Sequence, residues 1–400
     1  MVLLIILAIA VSRIVWGPSG DSGDDAFLTR DSGGVEILES LEPVWGDGEG
    51  WRVAGDPLVR IGRVEGDPAY LFSDVLGAVR LDDGTMVVGD FGTQEVRIFG
   101  PDGEHLRTTG GRGEGPGEFS GMSAMGRGYG RTAWIFDFSL RRLTWLDASG
   151  EVERLTTLAA EPPMLQPVGP LPDGTFVFRQ LWGATRVAEA EESGFRRDPV
   201  AYVRFDTAGA LVDTLGLFPG REIVLEDEGG RGVMSSPLFG RTSSGAIWRG
   251  GVVVGSQVSF EVELYSPEGD LRRVVRIPGR DLRLTRAEVE AYIELRAEAA
   301  PPEERVRVRR DLEAMPVPRT RPAYGALEVD PESNLWVSAY APYLEIPESW
   351  TVLDEGGRWL GAVPMPLGFY PWQFGDDWVL GVETDDLGVE YVALYPLLKE

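Results

Sequence analysis

The sequence predicts an all-β fold, on three observations. Its 400 residues include 52 glycines and 28 prolines, enough for many tight turns. Long helical periodicity is scarce, while 43% of residues are hydrophobic, so the chain can fill a large core of short strands. The third observation is an internal repeat. TMVVGDFGTQEVRIFGPDGEHLR, residues 85–107, lies without gaps on TAWIFDFSLRRLTWLDASGEVER, residues 132–154, after a shift of 47. Asp90 falls on Asp137, Phe91 on Phe138, Gly103 on Gly150 and Arg107 on Arg154. Each copy reads apolar strand, aspartate turn, apolar strand, glycine turn, then a more polar strand.

A period of ~40–50 residues with four short strands is the pattern of a β-propeller blade. Looser copies follow. They pair 171–178 with 202–215, 243–249 with 262–277, 326–340 with 350–363, and 372–384 with 389–397. The expectation is therefore a six-bladed β-propeller of four-stranded blades. The last copy runs out after three strands, and an unpaired edge at the seam would be costly. Residues 57–62 are the expected fourth strand, which closes the ring from the N-terminal side. Removing the chain through Gly62 should then destabilise the whole ring, whereas removal through Gly48 should be tolerated.

Three further segments complete the organisation. Residues 2–11 are an unbroken apolar run, shorter than the ~20 residues of a membrane span, and 1–16 read as a signal peptide or short membrane anchor. Residues 17–50 are rich in Gly, Asp, Glu and Ser and read as an acidic flexible linker, with a stray strand at 35–38. The propeller then spans 51–400. Within it, about 285–315 is charged and helical; Thr285 and Glu288 have capping-box spacing, and Pro301 and Pro302 divide two short helices. This insertion falls between blades four and five.

Composition bounds the chemistry. Against 64 acidic residues stand 38 basic ones, a formal net charge of −26, which disfavours nucleic-acid binding. No cysteine is present, which excludes disulfides, thiolate metal sites, cysteine nucleophiles and lipid attachment through cysteine. His105 is the single histidine, so zinc and serine–histidine chemistry lack their parts. Asp90 and Asp137 could be imagined as calcium ligands, but their recurrence just after a strand fits an aspartate that sets its own turn. The glycine-rich loop 111–119 lacks the following helix and Lys-Ser/Thr pair of a phosphate cradle. No catalytic set, metal site or cofactor is expected.

GRGEGPGEF at 111–119, the VVGD and VRIF strands of the first repeat with their D-x-G turn, and DDLGVEYVALYPL at 385–397 resemble the NHL-like six-bladed β-propeller family of bacterial cell envelopes. The resemblance runs from about residue 51 to the end. It implies a propeller fold, an envelope setting and a binding role. The expected function is that of an exported module (periplasmic, extracellular or membrane-anchored) recognising a protein, peptide or glycan. The alternative is a metal-dependent hydrolase or lyase, lactonase-like, acting at the central channel. Blades five and six are aromatic-rich. Most of those rings should fill the wedges between blades, but Tyr340, Tyr343, Tyr370 and Trp372 lie near prolines and glycines and are the expected ligand- or partner-binding rim.

Overall fold

The computed structural model describes residues 26–46, 48–181, 194–227, 232–342 and 345–399. The apolar run at 2–11, Tyr343 and the acidic stretch around Glu189 lie outside these. The fold is all-β and propeller-like, with two helices.

In chain order the strands are β1 (Phe27–Ser32), β2 (Val35–Ser40), β3 (Arg52–Val53) and β4 (Val59–Ile61), followed by the repeats. Sheet one holds β5 (Val75–Arg80), β6 (Met86–Asp90), β7 (Glu95–Phe99) and β8 (His105–Gly110). Sheet two holds β9 (Met122–Arg127), β10 (Thr132–Asp137), β11 (Arg142–Asp147) and β12 (Val152–Thr157). Sheet three has β13 (Leu165–Pro170), β14 (Phe176–Gln180), β15 (Gly194–Phe205), β16 (Leu211–Asp227) and β17 (Gly232–Ser235). Sheet four has β18 (Ser244–Trp248), β19 (Gly251–Gly255), β20 (Glu261–Tyr265) and β21 (Leu271–Arg276). The helices α1 (Arg286–Ala299) and α2 (Arg305–Glu313) come next. Sheet five holds β22 (Leu327–Val329), β23 (Leu335–Ser338), β24 (Ser349–Leu353) and β25 (Trp359–Pro364). Sheet six holds β26 (Phe369–Phe374), β27 (Trp378–Thr384) and β28 (Glu390–Leu398).

Middle strands are buried on both faces, which is why they read as continuous apolar runs and not as alternating ones. In β10 every residue from Thr132 to Asp137 is buried. The apolar layers lie between successive sheets. Val87 and Ile98 meet Ile135 and Leu146, for example, and Trp336 stacks on Phe374 at 4.0 Å between ring centroids. Another layer joins sheets six and one, through Leu380, Val392, Met86 and Phe99. The first strands β5, β9, β13, β18, β22 and β26 each touch the next, and β26 touches β5.

β28 pairs antiparallel with β4, placing Ile61 opposite Val392, and its far end pairs with β3. Strand counts depart from a uniform four. Sheet three gains an edge strand because β15 and β16 continue outward as a long hairpin on which β17 folds back.

Sheet four also gains strands, so residues 26–46 are ordered where a flexible linker was expected over 17–50. β2 lies parallel to β21 with Leu38 opposite Val275, and β1 pairs outside β2. Leu38 is 2% exposed. Beyond it, Val44 and Trp45 donate backbone N–H bonds to the carbonyls of Trp359 and Leu360 on β25, at 3.0 and 2.8 Å. The Trp45 ring lies over Gly361, where a Cβ would collide with it. A strand laid on an existing edge is held by backbone bonds and a few apolar side chains, so low apolar content does not preclude order.

The helices are placed as the cap predicts. The Thr285 side chain accepts the Glu288 N–H while Glu288 bonds back to the Thr285 N–H at 2.8 Å. Tyr292 and Ile293 on α1 and Leu312 on α2 bury against Leu238 and Phe239.

Candidate functional site: the central cavity

Four of the six first strands carry a glycine where they line the centre, Gly77, Gly126, Gly169 and Gly245, so backbone converges there without filling the space. What remains is a cavity of about 640 Å³, lined by residues of β5, β9, β13, β18, β22 and β26. Its wall mixes apolar groups such as Met125 and Ile247 with the aromatic Trp372 and several polar side chains.

Most of those polar groups are tied to the protein. Gln373 accepts the Arg80 N–H at 2.7 Å and donates to the Arg80 carbonyl at 3.1 Å, an amide rung joining sheet six to sheet one. Ser244 donates to the Gly325 carbonyl at 2.7 Å and accepts from Gln257 at 3.1 Å, which joins sheets four and five. Arg179 points its Nε and Nη2 at the Gln166 side-chain oxygen, 3.0 and 2.6 Å away, and its Nη1 at the Ser243 carbonyl. Arg127 is paired with Asp82. Asp330 accepts from the Asn334 and Trp336 side chains at 2.8 and 3.0 Å.

Glu328 differs. On β22, Leu327 and Val329 enter the apolar layer shared with sheet four, and the two-residue period of a strand sends Glu328 to the other face. It lines the cavity, and no hydrogen bond or ion pair reaches its carboxyl among the described residues. The residue is half-buried and lines the cavity. Burial alone pushes its pKa up to about 8. Burial also pushes the neighbouring Tyr370 phenol up, to about 12, with the Glu328 carboxylate adding to the effect.

The expected aromatic rim does not form one patch. Trp372 lines the cavity, and Tyr370 lies two residues away on β26 beside Glu328. Tyr340 packs instead at the foot of the helices, its ring 6.3 Å from Phe239. Glu328, Arg179 and Gln166 were not foreseen; the one local signal was an acid inside the short apolar run Ala326–Val329.

The other motifs prove structural. The Asp90 carboxylate accepts the N–H groups of Ser73 and Thr93 at 3.1 and 3.2 Å, and Asp137 those of Ser120, Gly121 and Leu140 at 2.6–3.0 Å. The 111–119 loop is held from outside by the Arg142 guanidinium, which donates to the carbonyls of Glu114, Gly115 and Glu118. His105 bonds Thr108 at 2.9 Å on β8. Among the described residues no three His, Cys, Asp or Glu side chains converge as a metal site, and no helix is long and apolar enough to cross a membrane.

A fold of this kind is shared with solved structures. A DUF4221 member from Bacteroides vulgatus matches at 12% identity with a TM-score of 0.50, over 88% of this chain and 99% of that one. A Bacteroides fragilis protein described as a candidate for export matches at 12% and 0.49, over 91% and 99%. A gluconolactonase from Xanthomonas campestris matches at 14% and 0.41, over 82% and 87%. The class is thus a propeller-like β protein. No family model matches the sequence, and no curated protein matches it either.

Proposed function

We propose that the protein is an exported, NHL-like six-bladed propeller that works as a binding module, holding a side group of a peptide or glycan in its central cavity. The observation that carries this is the cavity itself: about 640 Å³, walled by the first strands of six sheets, lined by Trp372 and by Glu328, an acid with no partner among the described residues. Pairing of β4 with β28 supports closure of the ring, and the apolar run at residues 2–11 supports export.

Binding to peptide and glycan arrays, followed by titration of the hits, tests the reading. Trp372→Ala should weaken the best ligand at least about tenfold with an unchanged fold, since the ring covers much of the contact. Unchanged affinity would move recognition to the outer surface. A hydrolase or lyase reading draws on Glu328 alone, a carboxyl able to exchange a proton near neutral pH. Metal-independent turnover of lactones that Glu328→Gln abolishes would replace the binding role.

A further inference from the structure

We infer that the cavity is selective for an organic cation, an alkylammonium such as a lysine side chain, seated on the Glu328 carboxylate. This rests on the cavity being the binding site and adds the chemistry it selects.

The argument is one of partners. A carboxylate in an enclosed space needs hydrogen-bond donors or an opposite charge. The protein supplies neither at Glu328. From β26 the titratable neighbour is Tyr370, an acid. The Arg80 guanidinium lies over the Trp378 ring, at 5.0 Å. The first strand of sheet four presents Ser244 to Ile247 to the cavity, none of them charged. Across the space the Arg179 guanidinium is held by the neutral oxygens of Gln166 and Ser243 and does not reach Glu328, and Arg127 is paired with Asp82. On its own sheet Asp330 is engaged with Asn334 and Trp336. A cation that also carries hydrogen-bond donors supplies both, and the cavity of about 640 Å³ has room for it.

The kind of cation follows from the same inventory. A divalent metal wants several converging oxygens, whereas Glu328 offers a single carboxylate. An ammonium carries three donors, of which the two carboxylate oxygens accept two and water can take the third. The formal charge of −26 favours approach of a cation from solution. Seating it expels the proton from Glu328, because the cation restores to the charged form what burial removed.

The test uses the full chain and two capped tripeptides, acetyl-Gly-Lys-Gly-amide and its norleucine analogue, titrated calorimetrically. Only ionised Glu328 holds the cation, so affinity for the lysine peptide should rise about 50-fold from pH 6 to pH 8, through a carboxyl titrating at about 8. Proton release should appear as a heat that varies with the ionisation enthalpy of the buffer. Glu328→Gln, which keeps size and neutrality, should abolish the pH slope and most of the affinity. The norleucine peptide should show no slope. Binding without a slope, or retained by Glu328→Gln, overturns the cation assignment. If the lysine peptide fails to bind while the norleucine peptide or a chitin disaccharide binds and loses affinity in Trp372→Ala, the cation assignment falls and the cavity reading stands. If none of the three binds, both fall.

Discussion

Residues 26–62 and residues 285–315 both lie outside the repeats, and they attach to the molecule in opposite ways. The first segment runs along the outside of three sheets in succession. It adds β1 and β2 to sheet four, bonds β25 of sheet five through Val44 and Trp45, and adds β3 and β4 to β28. The second leaves and returns at one place: Leu284 bonds the Arg319 carbonyl and Arg321 the Leu282 carbonyl, so its ends are stitched together. Its helices then bury Tyr292, Ile293 and Leu312 over two loops. Acidic composition suggested that the first was a tether, and a strong cap marked the second as a folded unit.

The largest effect that separates the regions comes from truncation. Deletion through Gly62 removes β4 and should abolish cooperative thermal unfolding. Deletion through Gly48 should cost roughly 4 kcal/mol, because it takes away Leu38 and Trp45 together with the edge bonds of sheets four and five. Melting curves equal to the intact chain's would restore the tether. A finer cut is Trp45→Ala, expected to cost about 2 kcal/mol in denaturant titration through the lost contacts with Gly361 and Trp51, whose ring lies 5.3 Å away. The smallest change falls in the other region. Thr285→Ala removes the capping box, and hydrogen exchange should show α1 loosened by about 1 kcal/mol while the midpoint of ring melting stays put. A drop in ring stability there would mean that the insertion braces the sheets after all.

What the sequence revealed follows from the range of each interaction. The repeats were legible because their marks are local: Asp90 bonds Thr93 and Asp137 bonds Leu140, each three residues on. The capping box was legible for the same reason. β2 was visible only as a stray strand, since its partner β21 lies far along the chain and no turn announces the pairing. Glu328 was one acid among 64, and nothing in its neighbours shows that its strand lines the cavity. Trp372 was picked out for its ring and its place after Pro366 and Gly368; that it lines the cavity comes from its position on β26. Tyr340 packs against α1, from an earlier part of the chain, a contact that no local pattern around it announces.

The pairing of β4 with β28 also sets an order in time. During synthesis Ile61 is made long before Val392, its partner, and Leu38 long before Val275. Strands made among the first are therefore among the last to find their places, and until then their edges stand open. Loops of this length close slowly and only after much else has formed. An acidic, glycine-rich segment suits that wait, because its charges keep it soluble and discourage premature pairing with the wrong strand.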